Sequence, residues 1–207
     1  MVGVFPILFV APSRIGDAVL CSGLLKRLSE EIPHAAFTVA AGPVSAPLFQ
    51  DLPGLQRLLV VEKEAGGGHW LKLWRQTRGR RWGLIVDMRG SGLAGMLRAR
   101  KRAVYKRNAG DGEPVHKVLE AARVLNLEDD PPAPHVFVSD DRQAAADALL
   151  GLDKHSHAPI LAMGPAANWT GKAWAAERFA VAAAELLDAD GLLPDGRLLL
   201  LGGPDDK

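Results

Sequence analysis

The sequence predicts an α/β protein built on a doubly wound parallel sheet. Short apolar runs alternate with stretches of helical periodicity from the first residues onward, the pattern of strands joined by crossover helices. The apolar run Val2 to Pro12 has no basic residue before it and no small-residue cleavage pattern after it, so it reads as a buried strand and not as a leader. With 48% hydrophobic and 24% charged residues, the chain has the composition of a soluble protein able to bury a core.

Taken in order, the first strand spans Val4 to Ala11. A helix follows from about Asp17 to Glu31, where Val19, Leu20, Gly23, Leu24, Arg27 and Leu28 form a mostly apolar stripe, and Pro33 stops it. Phe37 to Ala41, Leu58 to Val61, Leu84 to Met88 and Ala103 to Tyr105 read as further strands, with helical or loop segments between them. His116 to Leu127 reads as a helix with Val118, Leu119, Ala122 and Leu125 turned inward. The segment EDDPPAP, Glu128 to Pro134, carries three acids and three prolines and can neither continue a helix nor join a central strand, so it reads as a linker. Beyond it lie the apolar run Val136 to Val138, a helix over Arg142 to Leu150, a strand over Ile160 to Met163, a helix from about Glu177 to Asp188 and a strand over Arg197 to Leu201. The expected organisation is one domain over 1–134 and a second, over 135–207, whose strand, helix, strand start leaves its sheet half covered.

Composition removes several function classes. The single cysteine, Cys21, excludes an internal disulfide and a cysteine-cluster metal site, and its apolar helical setting suits a small buried hydrophobe. No run approaches the ~18 apolar residues that span a bilayer, so membrane contact, if made, is expected to be peripheral and the compartment cytoplasmic. Net charge is +1, yet twelve Lys or Arg residues and one acid, Asp87, lie between Lys72 and Arg107. Such a local field attracts phosphates or an anionic membrane surface, although a solvated basic face is the plainer reading.

Two loops carry chemistry. A-P-S-R-I-G-D, Ala11 to Asp17, sits at the carboxyl end of the first strand, where open α/β sheets bind ligands. It lacks both G-x-G-x-x-G and G-x-x-x-x-G-K-[ST], which disfavours a dinucleotide-dependent oxidoreductase or a P-loop nucleotide hydrolase. Gly16 lets backbone pass close to a ligand, and Asp17 stands where a carboxylate either caps the helix or points into the cleft. The second loop, G-P-A-A-N-W-T-G-K-A-W, Gly164 to Trp174, also leads from strand to helix, where free amides and Lys172 suit a diphosphate; an ordinary loop with a solvated lysine and two core tryptophans is the alternative. Asp188 and Asp190 form a lone D-x-D in a polar turn and are not expected to hold metal.

These motifs, in order, resemble glycosyltransferase family 9, the ADP-heptose:lipopolysaccharide heptosyltransferases. The resemblance runs from Ser13–Asp17 through Leu20 and Leu24, Lys26–Leu28, Ile32–Phe37 and Leu52–Leu55, then Asp87–Gly90 and His116. It closes on the K-x-W of Lys172–Trp174, the E-R-F of Glu177–Phe179 and the L-L-G-G-P of Leu200–Pro204. It implies a GT-B type fold, with an N-terminal Rossmann-like domain on the acceptor side and the incomplete start of a second Rossmann-like domain that takes the nucleotide sugar. It implies an inverting, metal-independent transfer from ADP-heptose to the Kdo-lipid A side of the lipopolysaccharide inner core, with no cofactor and no nucleic acid partner.

Carried over by position, Asp17 matches the proposed general base, Gly16, Thr170 and Lys172 the donor side, and Arg14, Arg89, Arg100, Lys101 and Arg102 the acceptor side, with peripheral contact at the inner face of the inner membrane. Cys21-Ser22-Gly23 and Ala175 stand where the family usually has proline, and the family's later D-S-G-x-x-H-L segment has no counterpart before Lys207. That absence leads to the expectation that this chain is truncated and inactive alone, and it keeps open a non-catalytic homologue that binds acceptor only.

Overall fold

The computed structural model describes residues 3–106, 115–152, 158–167 and 170–203. The chain divides into two compact units, Met1–Arg142 and Gln143–Lys207.

The first unit is a five-stranded sheet, all parallel, in the order β3-β2-β1-β4-β5. Its strands are β1 (Phe5–Val10), β2 (Ala35–Ala41), β3 (Leu55–Val60), β4 (Trp82–Asp87) and β5 (Ala99–Val104). Central strands β1, β2 and β4 are apolar at nearly every position because both faces are covered. On one face α1 (Ile15–Glu31) and α4 (Lys117–Ala122) enclose Ile7, Phe9, Phe37, Val39, Leu84 and Val86. The opposite face, Leu8, Val10, Ala40 and Ile85, packs with Leu73 of α2 (Gly68–Thr77) and Leu93 of α3 (Leu93–Met96). The order reverses between β1 and β4, and in such sheets that crevice, outside the carboxyl ends of the strands, is where ligands bind.

Between β3 and β4, where the sequence leaves helix or loop open, the chain forms α2. The stretch from 116 to 127 is α-helical only over α4, then tightens to a 3₁₀ turn over Arg123–Leu125 that Asn126 ends in the left-handed region, φ 55°. The two compact units divide after Arg142, eight residues beyond the boundary expected at Pro134, and the segment following the prolines is held by the first unit. The His135 amide donates to Ser22 Oγ at 2.9 Å, the Ser139 amide to Asp51 at 3.0 Å, and Arg142 pairs with Asp51 at 2.9 Å. A Cβ on Gly23 would overlap the carbonyl oxygens of Pro132 and Ala133, so α1 needs glycine there for the chain to cross it.

The second unit begins with most of α5 (Asp140–Leu150) and contains β6 (Ile160–Met163), α6 (Ala176–Leu187) and β7 (Arg197–Leu200), with β6 and β7 parallel. Its one buried hydrophobic residue among those described is Ala183, while Leu192 is 84% and Leu200 61% exposed.

Candidate functional site

The turn from β1 into α1 and the ends of β4 and β5 converge on one pocket of about 250 Å3. Pro12, Arg14 and Asp17 form one wall, Tyr105, Lys117 and Glu120 the other, and Leu20, Cys21, Met88 and Ala121 add apolar lining. Asp17 lies in the first turn of α1, half-buried; the N-cap is Arg14, and no side chain caps the helix by a hydrogen bond. Gly16 beside it has open space where a Cβ would stand.

On the far wall Glu120 accepts from Lys117 Nζ at 2.7 Å and from the Tyr105 hydroxyl at 3.1 Å. The hydrogen bond from Lys117 holds the Glu120 carboxyl below the usual carboxylate range, and the same bond raises the Lys117 ammonium. The charge of Asp17 adds to that rise. Cys21 stays a neutral thiol: burial pushes it up to about 12, with Asp17 adding to the effect, and Sγ donates to Ala18 O at 3.3 Å. The pocket therefore joins one carboxylate free of capping duty to cations on both walls, a setting that can accept a proton from a hydroxyl held beside anionic groups.

Asp87 shapes the adjoining rim. Fully buried, its carboxylate accepts from the amides of Arg89 at 3.0 Å and Ser91 at 2.9 Å and from Ser91 Oγ at 2.7 Å. Gly90 completes this turn at φ 58°, where a Cβ would meet Tyr105 O at 2.7 Å.

The expected site residues do not all meet. Asp17, Gly16 and Arg14 share the turn after β1. Arg89 does not line that pocket; its guanidinium lies 4.6 Å from the Trp70 ring centre, on the α2 side, and burial lowers its pKa, partly offset by Asp87. Arg100, Lys101 and Arg102 do not reach the pocket either. They occupy the strand body of β5, where Lys101 is in register with Leu84 and Arg102 with Ile85, and alternation sends neighbouring side chains to opposite faces. Arg102 donates to Ala94 O and Leu97 O, both at 2.7 Å.

In the second unit, Lys172 is exposed at the end of a 3₁₀ turn, Thr170–Lys172. Asn168, Trp169, Pro204, Arg107 and the Thr170 side chain lie outside the described residues. Trp174 is not a core residue: it is 48% exposed, with its ring edge-on to Phe179 at 5.2 Å. Asp188 Oδ1 accepts from the Asp190 amide at 3.3 Å, a local turn.

Sequence reasoning gave no role to Tyr105, Lys117, Glu120 or Asp87. The i, i+3 pair Lys117 and Glu120 and the lone tyrosine just past an apolar run were signals, but only packing of α4 on α1 shows that they face Asp17.

Solved glycosyltransferase structures are similar in fold. The glycosyl transferase family 9 from Veillonella parvula DSM 2008 matches at TM-score 0.72 and 17% identity, over 97% of this chain and 63% of that one. E. coli ADP-heptose lps heptosyltransferase II matches at 0.68 and 20% identity, over 98% and 66%. E. coli heptosyltransferase WaaC with ADP matches at 0.63 and 15% identity, over 97% and 69%. The chain spans 63 to 66% of the length of the first two. No protein-family model and no curated protein matches the sequence. The α/β fold of GT-B type expected from the sequence is the fold these structures share with it.

Proposed function

We propose that this chain belongs to glycosyltransferase family 9 and serves the inverting transfer of heptose from ADP-heptose to the Kdo-lipid A side of the lipopolysaccharide inner core. The observation that carries the reading is the position of Asp17, a carboxylate without a capping role at the carboxyl end of β1 beside the sheet reversal, in a fold shared with heptosyltransferases. In the proposed reaction an acceptor hydroxyl oxygen attacks the anomeric carbon of the heptose. Its proton passes to the Asp17 carboxylate, the anomeric C–O bond breaks, and that electron pair leaves on ADP. Arg14 and Lys117 offer charge to an anionic acceptor, Gly16 leaves room for the donor, and Thr170 and Lys172 are assigned to the diphosphate, where Lys172 offsets the charge of the departing ADP. Arg89, over Trp70, is proposed to meet acceptor groups that extend past the pocket on the α2 side.

The proposed step needs no metal and no cofactor. Because the acceptor is a membrane lipid, the proposed location is the cytoplasmic face of the inner membrane, in peripheral contact. Among the described residues, no helix is long and apolar enough to cross a membrane.

The test is mass-spectrometric detection of heptose added to Kdo-lipid A by a preparation carrying this chain, with and without Asp17→Asn. Transfer that depends on Asp17 supports the reading. Transfer unaffected by that change removes Asp17 as base, and acceptor binding without transfer by an otherwise complete enzyme returns the binding-only reading.

A further inference from the structure

A second concavity, of about 540 Å3, opens where α2 gives way to β4 and where β5 begins. Five arginines line it: Arg78, Arg80, Arg81, Arg98 and Arg102, with Gly79 and Ala99 between them. Among the described residues no carboxylate lines it, and none of the five forms an ion pair. Elsewhere Lys26, Arg27, Lys72, Lys117 and Arg142 each meet an acid, whereas no described acid approaches the five that share this hollow.

Three of the five are held in place by neutral partners. Arg78 lies over the Trp74 ring at 4.9 Å, Arg80 over the Trp82 ring at 5.5 Å with a 2.9 Å bond to Gln56 Oε1, and Arg102 spends two donors on backbone carbonyls. Such contacts fix guanidinium groups without neutralising them, so part of the ordering entropy that ligand binding would otherwise cost is already lost in the free protein. Arg81 and Arg98 have no such anchor among the described residues and are exposed. Five like charges around one hollow repel each other unless an anion sits among them.

We propose that this hollow binds a phosphate-bearing anion. A guanidinium presents its N–H groups as a planar fork that matches two phosphate oxygens, and several forks around one cavity suit a ligand with more than one phosphate charge. The site is distinct from the Asp17 pocket: Arg80 and Arg81 precede the first residue of β4, whereas Asp87 and Met88 lie at its other end, roughly 17 Å along the strand at ~3.3 Å per residue. It goes beyond the proposed transfer reaction and does not rest on it. Two sources share the chemistry, a phospholipid headgroup and a soluble polyphosphate.

The test titrates the 207-residue chain with sodium tripolyphosphate by calorimetry, and with phosphatidylcholine vesicles doped with phosphatidylglycerol by co-sedimentation. At least one probe binds, more weakly as salt rises. The double variant Arg81→Ala, Arg98→Ala loses at least about tenfold in affinity for it, with an unchanged melting temperature because neither side chain holds the fold. Lysines at the same two positions recover part of the loss. Arg14→Ala, in the other pocket, leaves binding intact. Binding of tripolyphosphate alone identifies a soluble anion, and binding of doped vesicles alone identifies the headgroup. The proposal is overturned if neither probe binds the unsubstituted chain, if the double variant binds as well, or if Arg14→Ala abolishes binding.

Discussion

The Tyr105 hydroxyl donates to the Glu120 carboxylate at 3.1 Å, tying the residue after β5 to α4 across the pocket from Asp17. Lys117 binds the same carboxylate, so the wall facing Asp17 is a hydrogen-bonded unit and not a set of loose side chains.

Its pH behaviour follows. Glu120 titrates lower in the folded chain, so its contribution is present above the unfolded carboxyl value and fades as pH falls through the folded one. Lys117 titrates higher, so its contribution is present below the unfolded amine value and fades as pH rises through the folded one. Melting temperatures of the chain and of Glu120→Gln should therefore differ by a small, constant amount between about pH 5 and pH 10, and converge in acid. A gap that persists well into acid would mean that Glu120 acts through packing and not through charge.

Asp17→Asn keeps the shape of the first turn of α1 but loses the proton acceptor. In an active preparation, kcat should fall by ~10²–10⁴ with the melting temperature nearly unchanged. Turnover near the unsubstituted level would assign the chemistry to another group.

Two glycines of α1 should respond in opposite ways. Gly16→Ala meets open space and trades glycine for a helix former, a gain of roughly 0.4–1 kcal/mol, while ligand affinity drops if the backbone must be approached closely. Gly23→Ala drives a methyl into the Pro132 and Ala133 carbonyls and should cost about 1–3 kcal/mol. Urea melts of both variants read the difference, and equal stability would contradict the crossing described for the segment after the prolines.

Replacing Asp87 by alanine strands the amides of Arg89 and Ser91 in a part-buried turn. A loss of about 2–3 kcal/mol is expected, against about 1 kcal/mol for Ser91→Ala, which removes one of the three donors to Asp87 and the weaker acceptor of the Leu93 amide. Comparable losses from the two changes in denaturant melts would show that Asp87 does not organise this rim.

The central strands of the first unit were legible because burial on both faces writes apolar runs, and β1, β2 and β4 begin and end within about two residues of expectation, whereas the edge strands β3 and β5, exposed and polar at several positions, begin three and four residues before it. Helix α2 was not assigned, although Trp70, Leu73, Trp74 and Thr77 fall at helical spacing, because three glycines, Gly66 to Gly68, open it and exposed polar residues interrupt the stripe. Asp17 and Arg14 could be read from one loop. Their partners Lys117 and Glu120 could not, since the link is tertiary and spans about a hundred positions of sequence. The charge run at Arg100 to Arg102 reads as one surface in the sequence; as a strand it faces two ways, with none of the three lining the Asp17 pocket, although Arg102 lines both the hollow at the start of β4 and β5 and the concavity beside Tyr105, Lys117 and Glu120.

The placement of β5 bears on how copies of this chain tolerate crowding. Among the described residues it is the last strand in its sheet, with a row of backbone donors and acceptors that no described strand pairs, the surface on which a second chain could add a strand. Arg100, Lys101 and Arg102 sit in that row, so two such edges approaching each other bring six positive charges together before any backbone bond forms. The repulsion weakens as ions screen it over ~8–10 Å, which makes low salt the protective condition for this edge during folding and concentration.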